Sequence, residues 1–123
     1  RHSDVIQALG GADYVVTSAL TAIECARGLA RARHAERISA AGERTALRAL
    51  NDAAVSWHVM DIGDAVSARA RAGFPLEPVR TLDAVHLATA LAFDGAVGTV
   101  TVLSLDDRVR DNARALGMAV GPE

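Results

Sequence analysis

Residues 99–120 read TVTVLSLDDRVRDNARALGMAV, and the order of patterns inside this stretch decides the fold. TVTVLSL is a continuously apolar, β-branched run of strand length. It breaks at Asp106-Asp107 into DDRVRDNARAL, where apolar positions return at helical spacing. Gly117 then stops the helix ahead of a second short apolar run, MAV. A strand, a helix and a strand in that order need a crossover, so the two strands are expected to lie parallel. A strand that is apolar throughout, without alternation, indicates burial on both faces.

Working outward, the same alternation continues. In HSDVIQALGG the apolar positions Val5, Ile6 and Leu9 end at Gly10-Gly11, a helix with its stop signal, and DYVVTS is a short buried strand. TAIECARGLARARHAERI returns to helical spacing, with Ile23, Ala26, Leu29 and Ala30 on one side and Arg27, Arg31 and Arg33 toward the other. GERTALRALNDA is a helix, SWHVMDI a strand, and GDAVSARARAG a helix closed by Gly73. FPLEPV is a loop. TLDAVHLATALAF is the most apolar helix, opened by Thr81 as its N-cap, and DGAVG is a turn. The predicted architecture is α/β, a three-layer sandwich with a parallel sheet flanked by helices, whose functional groups gather at the carboxyl ends of the strands.

The chain has 123 residues, half of them apolar, which suits a single domain over residues 1–123. No run approaches the roughly 18 apolar residues of a membrane span, and RHSDVIQ lacks the order of a secretory signal. Cys25 is alone, so no internal disulfide forms; this fits a reducing cytoplasm, the expected location, with Cys25 packing as a small residue. All 13 basic residues are arginine. Without lysine the chain has no P-loop lysine, no Schiff-base lysine, and none to set beside a phosphoacceptor Asp. A net charge of −2 argues against a constitutive nucleic-acid coat, while leaving room for a locally basic groove. Aromatic residues are too few, at 3%, for base-stacking platforms.

Three carboxylates, distant in sequence, are expected at one sheet edge. Asp106 leaves the strand TVTVLSL and opens the last helix; it either caps that helix or faces a cleft, with Ser104 placed to hydrogen-bond its carboxylate and Asp107 a weaker alternative. Glu24 either closes a T-x-x-E capping box with Thr21 or faces the same edge. Asp83 lies in the first turn of its helix, where a carboxylate offsets the macrodipole whether or not it has a function. Two carboxylates ~4 Å apart at an effective dielectric near 20 repel by about 4 kcal/mol, so such a cluster holds protons, pairs with arginines or binds a cation. Carboxylate ligation suits Mg2+ or Mn2+. His86, three residues after Asp83, shares its face; it contacts that carboxylate or is a semi-buried histidine satisfied by a local acceptor. The histidines show no zinc spacing, and neither a serine-hydrolase elbow nor a dinucleotide loop is present. The arginines of RGLARARHAER form a solvated helix face or, beside the cleft, hold a nucleic-acid backbone.

Glu24 in T-x-x-E-x-x-R, Asp83 in LDAVHLATAL, Asp106 in S-x-D-x-R and the closing A-x-x-LGMAV-x-P together resemble the PIN-domain ribonucleases, especially VapC-type toxins of bacterial toxin–antitoxin pairs. The resemblance runs from about Tyr14 to Pro122. It implies a Mg2+- or Mn2+-dependent endoribonuclease acting on single-stranded or loop RNA such as tRNA or rRNA segments, a homodimer, and a cognate antitoxin that neutralises it. It makes Glu24, Asp83 and Asp106 the catalytic and metal-binding acids, with Ser104 at a small-hydroxyl position. The family also opens with a strand ending in Asp-Thr/Ser-Ser, whose Asp is its first acid. VVTSAL imitates that motif, but Val16 stands in the place of the Asp and Glu24 then falls too early. The chain is therefore expected to be N-terminally truncated, without that strand and first Asp, with apolar edges exposed and activity reduced. The alternative is a non-catalytic α/β interaction module whose acids bind arginines of a partner peptide.

Overall fold

One or two helices separate successive strands, as the periodicity predicts. A computed structural model describes residues 2–123. The elements are α1 (His2–Gly11), β1 (Val16–Ser18), α2 (Leu20–His34), α3 (Ala40–Ala54), β2 (His58–Met60), α4 (Asp64–Arg71), α5 (Thr81–Val97), β3 (Thr101–Leu103), α6 (Asp107–Ala115) and β4 (Ala119–Gly121). Both strand pairs are parallel: Val16 lies opposite His58 and Ser18 opposite Met60, Thr101 opposite Ala119 and Leu103 opposite Gly121. The turn from α6 into β4 is a glycine C-cap. Gly117 has φ 88°, and the Met118 N–H reaches back to the Ala113 carbonyl at 2.9 Å.

The expected single sheet is realised as two two-stranded sheets. A cavity of about 450 Å3 is lined by Val16 and Thr17 of β1, Val102 and Leu103 of β3, and Leu87 and Phe93 of α5. β1 and β3 border this space and do not pair across it. Two further expectations are corrected locally. Thr81 is the first helical residue of α5 rather than its cap; Arg80 holds the cap position without a side-chain bond. The DGAVG stretch stays helical up to Gly98, whose φ of 101° ends α5. The Asp94 carboxylate then accepts the Val100 N–H at 2.8 Å and closes the turn. Cys25 is exposed and takes no part in the core.

Burial is uneven. Leu87, at 1% exposure, packs with Phe74, Ala84, Val109, Ala113 and Met118, so the core lies where α5 and α6 meet the residues that flank them. By contrast α2 and α3 contain no buried residue, and Ile23, Val55 and Val59 are exposed. Among the described residues no helix is long and apolar enough to cross a membrane. Truncating Leu87→Ala is expected to cost about 2–5 kcal/mol in urea unfolding, whereas Ile23→Ala should stay within about 0.5 kcal/mol. Equal losses at the two positions would contradict this placement of the core.

Candidate active site

Asp106 satisfies both readings of its sequence at once, because its two oxygens do different work. At the N-cap of α6, Oδ1 accepts the Val109 N–H at 3.1 Å, which fixes the carboxylate. Oδ2 remains free to face another charge. The Ser104 hydroxyl does not reach the carboxylate as expected. It accepts the Asp106 backbone N–H at 3.1 Å instead, since the carboxylate is turned toward the helix.

Asp83, in the first turn of α5, meets Asp106 through a shared arginine. Arg80 places Nε 3.4 Å from Asp83 Oδ2 and Nη2 3.5 Å from Asp106 Oδ2. One guanidinium thus spans carboxylates from two different helices. The loop before Arg80 is pinned so that this can happen. Asn112, 0% exposed, accepts the Leu76 N–H at 2.9 Å and donates to the Leu76 carbonyl at 3.0 Å, clasping one residue by both backbone groups. Glu77 accepts the N–H groups of Phe74 and Val79 at 2.8 and 2.7 Å. Arg108 donates to the carbonyls of Leu76 and Glu77 at 3.1 and 3.0 Å. The loop therefore folds onto α6, and the start of α5 arrives beside Asp106.

Glu24 is held separately. The expected capping box does not form: the N-cap is Ala19, the Ser18 hydroxyl accepts the Leu20 N–H at 3.0 Å, and Thr21 pairs with Thr17. Freed from that role, the Glu24 carboxylate accepts a hydrogen bond from His86 Nε2. His86 is half-buried, as expected, but its partner lies 62 residues away and is neither Asp83 nor a local acceptor. Asp83 and His86 line the same cavity as Ser18, Thr21 and Ser104. Among the described residues no group of three His, Cys, Asp or Glu side chains stands close enough to hold a metal ion. The site consists of an aspartate pair and, one turn further along α5, a histidine-held glutamate.

The donor chemistry of the aspartate pair suits a hard divalent cation, because one carboxylate oxygen from each acid converges on the same positively charged side chain. Two carboxylates with water completing the shell are an ordinary Mg2+ donor set. Both acids also sit at helix N-termini, where the macrodipole favours negative charge. Asp107 is exposed in the first turn of α6. Of the arginine stripe, Arg33 pairs with Glu43 at 2.8 Å and Arg27, Arg31 and Arg37 are exposed, as a solvated face requires.

Sequence reasoning missed Arg80, Arg108 and Asn112. Arg80 and Asp83 in RTLD have the i, i+3 spacing that brings an arginine to a carboxylate at a helix start. Asn112 stands three residues after Val109 and one before Ala113, a polar residue on an apolar stripe, which signals a buried hydrogen-bonding role.

A family model described as PIN domain matches residues 1–115. The chain is 39% identical over 105 residues to Ribonuclease VapC46 of Mycobacterium tuberculosis, an alignment spanning 85% of this chain and 71% of that protein. It is 37% identical over 57 residues to Ribonuclease VapC35 of the same organism, across 46% of this chain and 42% of that protein.

Asn112→Ala leaves the Leu76 N–H without its partner and takes one of two donors from the Leu76 carbonyl, and should cost about 1–3 kcal/mol. Asp106→Asn keeps a side chain that caps as well as aspartate, whereas Asp106→Ala does not and should lose about 0.5–2 kcal/mol. Urea unfolding of the three variants checks both statements; equal stability of the Asn and Ala variants at position 106 would contradict the cap.

Proposed function

The chain belongs to the PIN-domain family, and from that premise we propose that it is a divalent-metal-dependent endoribonuclease, the toxin of a toxin–antitoxin pair, hydrolysing RNA phosphodiester bonds in the cytoplasm. The observation that carries this reading is the convergence of Asp83 and Asp106 on a single cation, the guanidinium of Arg80. Membership alone brings the expectation of a nuclease; the shared cation supports Asp83 and Asp106 as the residues that serve it.

Asp83 and Asp106 would hold Mg2+ or Mn2+. When bound, such an ion supplies Lewis acidity, offsetting charge on the phosphate and making water more acidic. Asp106 brings a carboxylate whose orientation is already set by the Val109 N–H, so little conformational freedom is lost on ligation. Glu24, oriented by His86, would add a third carboxylate as the acceptor of a proton from the attacking water. Ser104 holds the backbone of Asp106 in register with the end of β3. Exposed arginines of α2 offer the RNA backbone positive charge without reading bases. A cognate antitoxin and a second copy of the chain are the proposed protein partners, and the exposed Ile23, Val55 and Val59 supply apolar surface for such association.

A second reading is favoured by the same contact. Acids that already bind an internal arginine suit arginines of a partner peptide, in a module that performs no chemistry.

With Mn2+ and a fluorogenic oligoribonucleotide, Asp83→Asn and Asp106→Asn are each expected to lower cleavage at least about 100-fold, on the scale of losing an electrostatic contributor to catalysis, while unfolding as the parent chain does. Activity within twofold of the parent in either variant would remove that residue from the mechanism. Absence of RNA cleavage by the parent chain, together with metal-independent capture of an arginine-bearing peptide, would establish the second reading.

A further inference from the structure

The contact that joins the two aspartates is weak by construction. Arg80's side chain is 82% exposed, and its distances of 3.4 and 3.5 Å are long for charge-assisted hydrogen bonds. Exposed ion pairs of this kind are worth about 0–1 kcal/mol, so the guanidinium is easily displaced. Its neighbours are committed elsewhere: Arg108 to the carbonyls of Leu76 and Glu77, and Arg110 to the Ser104 carbonyl at 2.8 Å. The backbone of Arg80 follows a loop clasped by Asn112 and Glu77, so the side chain moves while its root stays in place.

We propose that Arg80 is a resident counter-cation: it keeps Asp83 and Asp106 converged while no divalent ion is bound, yields both carboxylates when one arrives, and then turns its fork to a phosphate of the RNA. This rests on the nuclease reading of the same site. Two converging carboxylates with nothing between them would repel and splay. An arginine held by weak, exposed contacts answers that problem and can still be displaced, and its planar fork suits carboxylate and phosphate alike. Arg80 is thus a positioning residue for the empty site and a substrate contact in the loaded one.

The test is Mn2+ titration by electron paramagnetic resonance of the parent chain, Arg80→Gln, Arg80→Lys and the control Arg71→Gln. The control removes an exposed arginine charge of α4 that takes no part in the loop or the aspartate pair. Arg80→Gln is expected to bind Mn2+ about two- to fivefold more tightly, as release from a weak exposed ion pair predicts. Arg80→Lys should fall between it and the parent, because one ammonium does not span both acids. The control should match the parent. Arg80→Gln should also raise the KM for RNA several-fold, and its thermal midpoint in EDTA should fall below the parent's. Unchanged or weaker Mn2+ binding by Arg80→Gln, or an equal gain in the control, would overturn the counter-cation role and leave the nuclease reading standing. A parent chain that binds no Mn2+ and cleaves no RNA would overturn both.

Discussion

Asp83 and Asp106 come from helices whose starts lie more than twenty residues apart, and both project Oδ2 toward the same guanidinium. Like charges ~4 Å apart repel by about 4 kcal/mol at an effective dielectric near 20, so a fold that turns two carboxylates toward one point gains from a positive charge there. The rest of the site follows from this requirement. The start of α5, the cap of α6 and the loop between α4 and α5 are arranged so that the compensating charge comes from the chain itself and remains exchangeable.

The arrangement divides labour between buried and exposed groups. Buried hydrogen bonds do the positioning: Asn112 grips both backbone groups of Leu76, and Val109 fixes one oxygen of Asp106. Exposed charges do the work that has to be reversible. Where the core is strong, between α5 and α6, the aspartates are held; where it is thin, on α2 and α3, the chain presents arginines and uncovered apolar side chains. Glu24 links the two regions through its contact with His86, on the helix that carries Asp83.

Much of this was legible in the residues. The alternation around TVTVLSL and DDRVRDNARAL gives the helix–strand order and the parallel pairing, because each element carries its own periodicity. The division into two sheets was not legible, since a strand's pattern records its burial and not which neighbour pairs with its edge. Asp106 was foreseen as cap or ligand; only coordinates show that separate oxygens allow both. The T-x-x-E of Thr21 and Glu24 matches a capping box, yet Ser18 takes part of that duty and the tertiary partner His86 wins Glu24. Local motifs lose to distant partners in this way whenever both can satisfy the same group. Arg80 was overlooked because an arginine at a loop end is ordinary until the acid from the other helix is placed beside it.

Asp83 and Asp106 share one positive partner, Arg80, and the proposal is that a divalent ion takes its place. A crystal of the chain soaked in Mn2+, with data collected at the manganese absorption edge, tests this most directly. It should show an anomalous peak at the ~2.1 Å typical of a small hard divalent ion from Asp83 Oδ2 and Asp106 Oδ2, with the Arg80 guanidinium swung out of its bridging position. An ion bound elsewhere, or Arg80 still spanning the two carboxylates in fully soaked crystals, would contradict it.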